Sequence, residues 1–261
     1  MTWTIRQRSR RGPLTAIDAG AGPLVVLIHG VGLRAEAWGA QIDALSQDHR
    51  VLAFDMPGHG GSARVEGTPA LAAYTETIAA QIDAPCVVIG HSFGAMIALD
   101  LAVQHGALVN GVAALNAIFR RDADAARAVQ ARAASLDGTR VADPATPLAR
   151  WFGQAESDQS AACRDWLLGV DPAGYRDAYA VFADADGPSD AALASLRCPA
   201  LFLTGAEEPN STPAMSQAMA VRTPQGRAEI IAGAAHMMPM THADQTNAII
   251  ADFLKPLTER T

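Results

Sequence analysis

Residues 90–94 read GHSFG, which places Ser92 between Gly90 and Gly94. The apolar run PCVVIG (85–90) precedes the serine and the helix-like stretch AMIALDLAV (95–103) follows it. A serine on a sharp turn between a strand and a helix has its hydroxyl pushed out of the backbone, and flanking glycines omit side chains that would collide there. That is the setting of a nucleophile. A serine hydroxyl is weak near neutral pH, so the chemistry also needs a base within hydrogen-bond reach and a third group that orients the base.

Seven histidines compete to be that base. His236 directly follows the strand-like run AEIIAGAA (228–235), and it alone stands just behind the last such run. His242 falls at the start of the final helical stretch. His59 and His91 flank turns and read as packing or hydrogen-bonding residues, His29 ends a strand where its ring would brace the following loop, and His49 and His105 read as helix ends or surface. The orienting acid is expected in TGAEEPNSTP (204–213), after the run PALFL. Glu208 is preferred because it stands immediately before the turn at Pro209 and Asn210, with Glu207 as the alternative. Asn116, behind the earlier run LVNGVAAL, carries no charge. Acyl chemistry further needs backbone N–H donors aimed at the developing oxyanion. Phe93, next to the serine, supplies one candidate; Val31, within HGVG (29–32), supplies the other.

These residues need a scaffold that brings distant segments to one place. Strand-length runs at 23–29, 50–55, 85–90, 108–115, 199–205 and 228–233 are rich in Val, Ile and Leu on both faces, as buried parallel strands are. Helical spacing fills the gaps: Trp38, Ile42 and Leu45; Leu71, Tyr74, Ile78 and Ile82; Thr246, Ile249, Ile250, Phe253 and Leu254. Alternating strands and helices mean a mostly parallel sheet covered on both sides. Between residues 117 and 196 charged helical stretches replace the strands, and four prolines divide them. The expected organisation is a core of 1–116 and 197–261 carrying a helical lid at 117–196.

Composition narrows the alternatives. A net charge of −7 argues against a nucleic-acid partner, which requires a dense basic surface. The arginines at 6, 8, 10 and 11 read as a solvated first hairpin, since no apolar signal segment follows them. No window approaches the roughly 20 apolar residues of a membrane span, so a cytoplasmic protein is expected. Three cysteines far from other ligands predict reduced, structural thiols and no metal site.

With HGVG (29–32), DMPGHGGS (55–62), GHSFG (90–94) and GAAH (233–236) in order, the chain resembles the α/β-hydrolases along nearly its full length. The resemblance implies that Asp55 and His59 are structural, packing beneath the active site. LARWFG and GVDPAGYRDAYAVFADAD are similar to the lid of 3-oxoadipate enol-lactonases, which open small carboxylated lactones. It therefore implies a serine hydrolase of small esters or enol-lactones, with no cofactor. Its departure is Glu208 where the family usually has Asp. Arg120, Arg121, Arg150, Trp151 and Phe152 are the lid residues expected to contact substrate, an arginine gripping a carboxylate in a bidentate contact. Cleavage of a carbon–carbon or amide bond and acyl transfer use the same triad, and a ligand sensor could keep the fold.

Overall fold

The computed structural model describes residues 6–153 and 156–258. Eight strands form one sheet: β1 (Ser9–Arg11), β2 (Leu14–Ala19), β3 (Leu24–Ile28), β4 (Arg50–Phe54), β5 (Cys86–His91), β6 (Val109–Leu115), β7 (Ala200–Gly205) and β8 (Gly226–Ile231), in the spatial order 1-2-4-3-5-6-7-8. β1 and β2 pair antiparallel, as do β2 and β4, whereas every pairing from β4 through β8 is parallel. Six of these strands lie within two residues of the sequence runs. Their side chains alternate between two cores, as the period of two demands. Val26 and Ile28 of β3 and Phe202 of β7 face one core, and Val25, Leu27 and Leu201 face the other.

Helices close both faces. The first core is covered by α2 (Leu71–Ala79) through Tyr74 and Ile78, by α3 (Phe93–Gln104), and by α9 (Pro213–Arg222) through Met219. The second is covered by a 3-10 turn (Ala35–Trp38), α1 (Gly39–Leu45) and α11 (Ala243–Thr258), whose Ile250, Phe253 and Leu254 form the buried stripe. The short α10 (Met238–Thr241) precedes α11. β8 is an edge strand, and most of its residues are only half-buried. The doubly buried pattern read for that run therefore does not hold there.

Between β6 and β7 the described residues form five helices and no strand: α4 (Ala123–Ala134), α5 (Ala145–Phe152), α6 (Asp158–Gly169), α7 (Pro172–Asp184) and α8 (Asp190–Ser195). Caps written in the sequence start several of them. Asp122, Ser157, Asp171 and Ser189 each accept a backbone N–H of the following first turn. A separate apolar cluster joins α5, α6 and α7 to the core through Leu148, Cys163, Leu167 and Tyr175 against Leu33, Met237 and Met240.

Of the arginines at the start, Arg10 is exposed as expected, but Arg6, Arg8 and Arg11 are half-buried and paired. Arg6 pairs with Asp43 at 2.8 Å, and Arg11 with Asp18 and Asp83. Arg8, 14% exposed, bridges the buried carboxylates of Glu36 and Asp55. The acids that neutralise it lie up to 47 residues away in sequence, so local reading could not find them. Asp55 also accepts the Ala35 and Gly61 amides and the Thr15 hydroxyl at 2.9 Å each. It ties the 3-10 turn and the loop after β4 to the first hairpin.

Candidate functional site

Because β3 and β5 to β8 run parallel, their C-terminal ends share one edge of the sheet, and the loops that follow converge there. The tightest of these turns holds Ser92, at φ 58° and ψ −120°, a conformation few non-glycine residues adopt. A Cβ on Gly90 would fall onto the Gly94 carbonyl, and one on Gly94 onto the Ile28 carbonyl. Both glycines are therefore required where strand, turn and helix approach. The Ser92 N–H donates to the Leu115 carbonyl at 2.8 Å, fixing the turn to β6.

His236, in the loop after β8, and Glu208, in the loop after β7, meet at this edge. The imidazole Nδ1–H donates to Glu208 Oε2 at 2.7 Å. Glu208 Oε1 accepts the Asn210 and Ser211 amides at 2.8 and 3.3 Å, so the turn foreseen after this glutamate is what holds its carboxylate. Glu208 is 3% exposed, whereas Glu207 faces solvent. Burial pushes the Glu208 pKa up, but the His236 charge and hydrogen bond and the two amides outweigh it, leaving the pKa at about 2.

Ser92 and His236 border one cavity of about 160 Å³, together with Gly30 and Val31. Among the described residues no hydrogen bond joins the two side chains. Catalytic hydrogen bonds of this kind form fully only in the complex with substrate, so the pairing does not depend on one here. In the HGVG turn the Gly32 amide is committed to His59 Nε2 at 2.9 Å and the Leu33 amide to the Gly30 carbonyl at 3.3 Å. The Val31 amide has no such partner among the described residues. Phe93 opens α3, where first-turn N–H groups lack intrahelical acceptors.

Three other histidines serve as scaffolding. Burial drives the pKa of His29 and His91 down to about 3 and that of His59 to about 4, so all three are neutral. His29 Nε2 accepts the Met56 amide at 3.0 Å. His91 Nε2–H donates to the His236 carbonyl at 2.7 Å. Asn116 joins it there, its Nδ2 donating to the same carbonyl at 2.8 Å while its Oδ1 accepts the Gly205 N–H at 3.3 Å. Asn116 is thus a clamp between β6, β7 and the histidine loop, held at φ 51°, where asparagine is better tolerated than most residues. Asn116→Ala is expected to cost about 1–3 kcal/mol by leaving buried groups unpaired. Urea denaturation measures it, and an unchanged midpoint would remove the clamp from the account.

The expected lid contacts divide. Arg121, Arg150 and Trp151 line the cavity, but Arg120 and Phe152 do not. Arg120 pairs with Asp190 at 2.7 Å and lies over the Phe119 ring, because its neighbours are an exposed carboxylate and an aromatic rather than the serine. Phe152 turns toward the α5–α6 cluster and borders a different depression. Arg121 reaches the cavity but is committed: it donates to the Ala185 and Phe182 carbonyls at 2.5 and 3.0 Å, at the end of α7.

Arg132 was absent from those expectations. It lines the cavity with a buried Nη2 that has no hydrogen-bond partner among the described residues. It lies against Tyr175, and Arg150 against Tyr179; each opposes, second to burial, the upward shift of its phenol. Neither arginine forms an ion pair with a carboxylate among the described residues, and no aspartate or glutamate lines the cavity. The signal for Arg132 was helical spacing. Ala125, Val129 and Arg132 share the cavity face of α4, as Tyr175, Tyr179 and Phe182 do on α7.

Among the described residues no helix is long and apolar enough to cross a membrane, and no cluster of three metal-ligating side chains occurs. The three cysteines are buried and free.

Comparison with known proteins agrees with this architecture. The chain is 36% identical over 244 residues to the (E)-2-((N-methylformamido)methylene)succinate hydrolase of Acinetobacter baylyi, covering 91% of this chain and 92% of that one. It is 29% identical over 260 residues to a pimeloyl-[acyl-carrier protein] methyl ester esterase of Neisseria meningitidis, covering 96% and 98%. The enol-lactonase of Burkholderia xenovorans superposes with a TM-score of 0.82 at 24% identity, over 95% of this chain and all of that one; it shares the fold. Residues 25–249 match the profile described as the alpha/beta hydrolase family, a span holding the glycine-flanked serine, the glutamate and the histidine. With strands, crossing order and sequence in agreement, the chain belongs to the alpha/beta hydrolase family.

Proposed function

We propose that Ser92, His236 and Glu208 form a triad that hydrolyses an acyl bond in a small, carboxylate-bearing substrate through an acyl-enzyme. The observation that carries this reading is a carboxylate-held imidazole and a strained, half-buried serine on one cavity. Ser92 Oγ attacks the carbonyl carbon as its proton passes to His236, whose new charge faces Glu208. The Val31 and Phe93 amides stabilise the oxyanion. His236 then gives the proton to the leaving nitrogen or oxygen, and takes one from the water that cleaves the acyl-enzyme.

The substrate class follows from charge. Two guanidinium groups without carboxylate partners, Arg132 and Arg150, border a cavity with no acid, so they suit a substrate with two carboxylates. The Acinetobacter relative is a hydrolase of an (N-methylformamido)methylene succinate, a dicarboxylate of that kind. We therefore place an N-acyl aminomethylene succinate first. A carboxylated ester or enol-lactone is the second reading, favoured by the ester-cleaving relative.

A panel of N-acyl aminomethylene succinates, enol-lactones, monoesters of dicarboxylic acids and neutral p-nitrophenyl esters tests the class. Dianionic substrates are expected to exceed neutral ones of equal size by about 10²-fold or more in kcat/KM, as two charge-assisted contacts allow. Equal rates for neutral and dianionic substrates would overturn it. Arg132→Met and Arg150→Met are each expected to raise KM for the dianion about 10-fold or more while leaving p-nitrophenyl acetate hydrolysis within about twofold.

A further inference from the structure

The geometry points to Trp151 as a positioning residue that stabilises His236 in its cationic form during attack, so that the helical segment over the sheet takes part in proton transfer as well as in substrate contact. The inference rests on the triad reading above. Trp151 occupies the last turn of α5, whose Leu148 is buried in the α5–α7 cluster. Its ring lies 16° from parallel to the His236 imidazole, with centroids 5.8 Å apart. A second ring, that of His91, packs against the same imidazole at 4.9 Å and tilted 52°. Nδ1 is held by Glu208. The ring thus has Trp151, His91 and Glu208 as neighbours, each from a different part of the chain.

The two aromatic neighbours differ in what they offer a positive charge. His91 is buried and neutral, and its Nε2–H is already donated to the His236 carbonyl. It fills space without accepting charge. Trp151 presents an indole π-face, which attracts a cation within about 6 Å of the ring centre. A general base must start in its neutral form, which gains little from that face. As the Ser92 Oγ–H bond breaks and the Oγ–carbon bond forms, the proton moves onto His236 and the ring becomes an imidazolium. The contact is then stronger in the transition state than in the ground state, which is the condition for raising kcat rather than lowering KM. Glu208 acts through the edge of the same ring and Trp151 through its face, so the two contributions do not duplicate one another.

The bland account of Trp151 is that it fills the seam between α5 and the core. A fluorophosphonate separates the two, because its reaction with Ser92 also transfers the proton to His236 while fluoride leaves. Saturation kinetics of inactivation in the full-length protein then yield kinact and KI without a known substrate. Trp151→Leu is expected to lower kinact about 3- to 30-fold, the span of a cation–π contact, with KI within about twofold. Trp151→Phe keeps a weaker π-face and is expected to fall between wild type and Leu. It also serves if the Leu variant does not fold, which circular dichroism reports. Equal kinact for wild type and either variant, or a change in KI alone, would overturn the proposal and return Trp151 to packing or substrate contact. Mapping the phosphonylated residue by mass spectrometry keeps the two readings apart. Label on Ser92 with unaltered kinact in Trp151→Leu rejects only the role of Trp151; label elsewhere in the wild type rejects the triad and this proposal together.

Discussion

Ser92→Ala is expected to abolish fluorophosphonate labelling and to lower hydrolysis of p-nitrophenyl acetate by about 10³-fold or more. The size follows from the division of labour in such a site. Without the nucleophile, only the oxyanion donors and substrate binding remain to act on a water molecule, and these retain a small part of the acceleration. The variant isolates chemistry from folding. The Ser92 hydroxyl makes no hydrogen bond to protein among the described residues, and alanine meets the same left-handed φ of 58° that serine does. Far-ultraviolet circular dichroism and thermal midpoint should therefore stay near those of the wild type. Turnover undiminished in the alanine variant would remove Ser92 from the mechanism. A wild type that binds carboxylates tightly but turns none over would favour a sensor on the same fold.

Much of the sheet was legible because its signal is local. β3, β5 and β7 are fully buried runs of Val, Ile, Leu and Phe bounded by Gly, Pro or Asp, and such runs show themselves without knowledge of their neighbours. The serine turn was legible for a related reason. Its glycines are demanded by contacts within a few residues, or with the adjacent strand β3. The part that escaped depends on which distant groups meet. Arg8 has the composition of a surface residue, but becomes nearly buried once Glu36 and Asp55 come to it. Arg120 and Arg121 are neighbours in sequence and opposite in fate. Arg120, at φ 55°, pairs with the exposed Asp190, while Arg121 donates to the carbonyls at the end of α7. Arg132 was hidden by the many charges of α4, although its spacing from Ala125 and Val129 marks one face. Asn116 was set aside for lacking a charge. Its use lies in the amide, which both donates and accepts, as an aspartate there could not.

Glu208→Gln is expected to lower kcat by about 10² to 10⁴-fold on the same ester, and Glu207→Gln by less than about twofold. A glutamine has the same shape, so it keeps the loop in place but removes the charge that the imidazolium faces. Its amide can also present N–H where His236 Nδ1–H now donates, which favours the wrong tautomer for taking the serine proton. Glu207 is exposed, and the His236 Nδ1–H donates to Glu208 instead. A larger loss in Glu207→Gln would transfer the role. The same carboxylate carries a signature in stability that catalysis cannot mimic. Its pKa is held at about 2 in the folded protein against an ordinary value of 4.5, so the folded state binds the proton more weakly than the unfolded chain. The stabilisation from that difference is fully present above about pH 4.5 and is lost as pH falls through about 2. Urea midpoints of wild type and Glu208→Gln should therefore draw closer between pH 5 and pH 3, roughly that window. A gap that stays constant across it would mean that the paired carboxylate gains nothing from His236 and the two loop amides, and the electrostatic account of the site would fail with it.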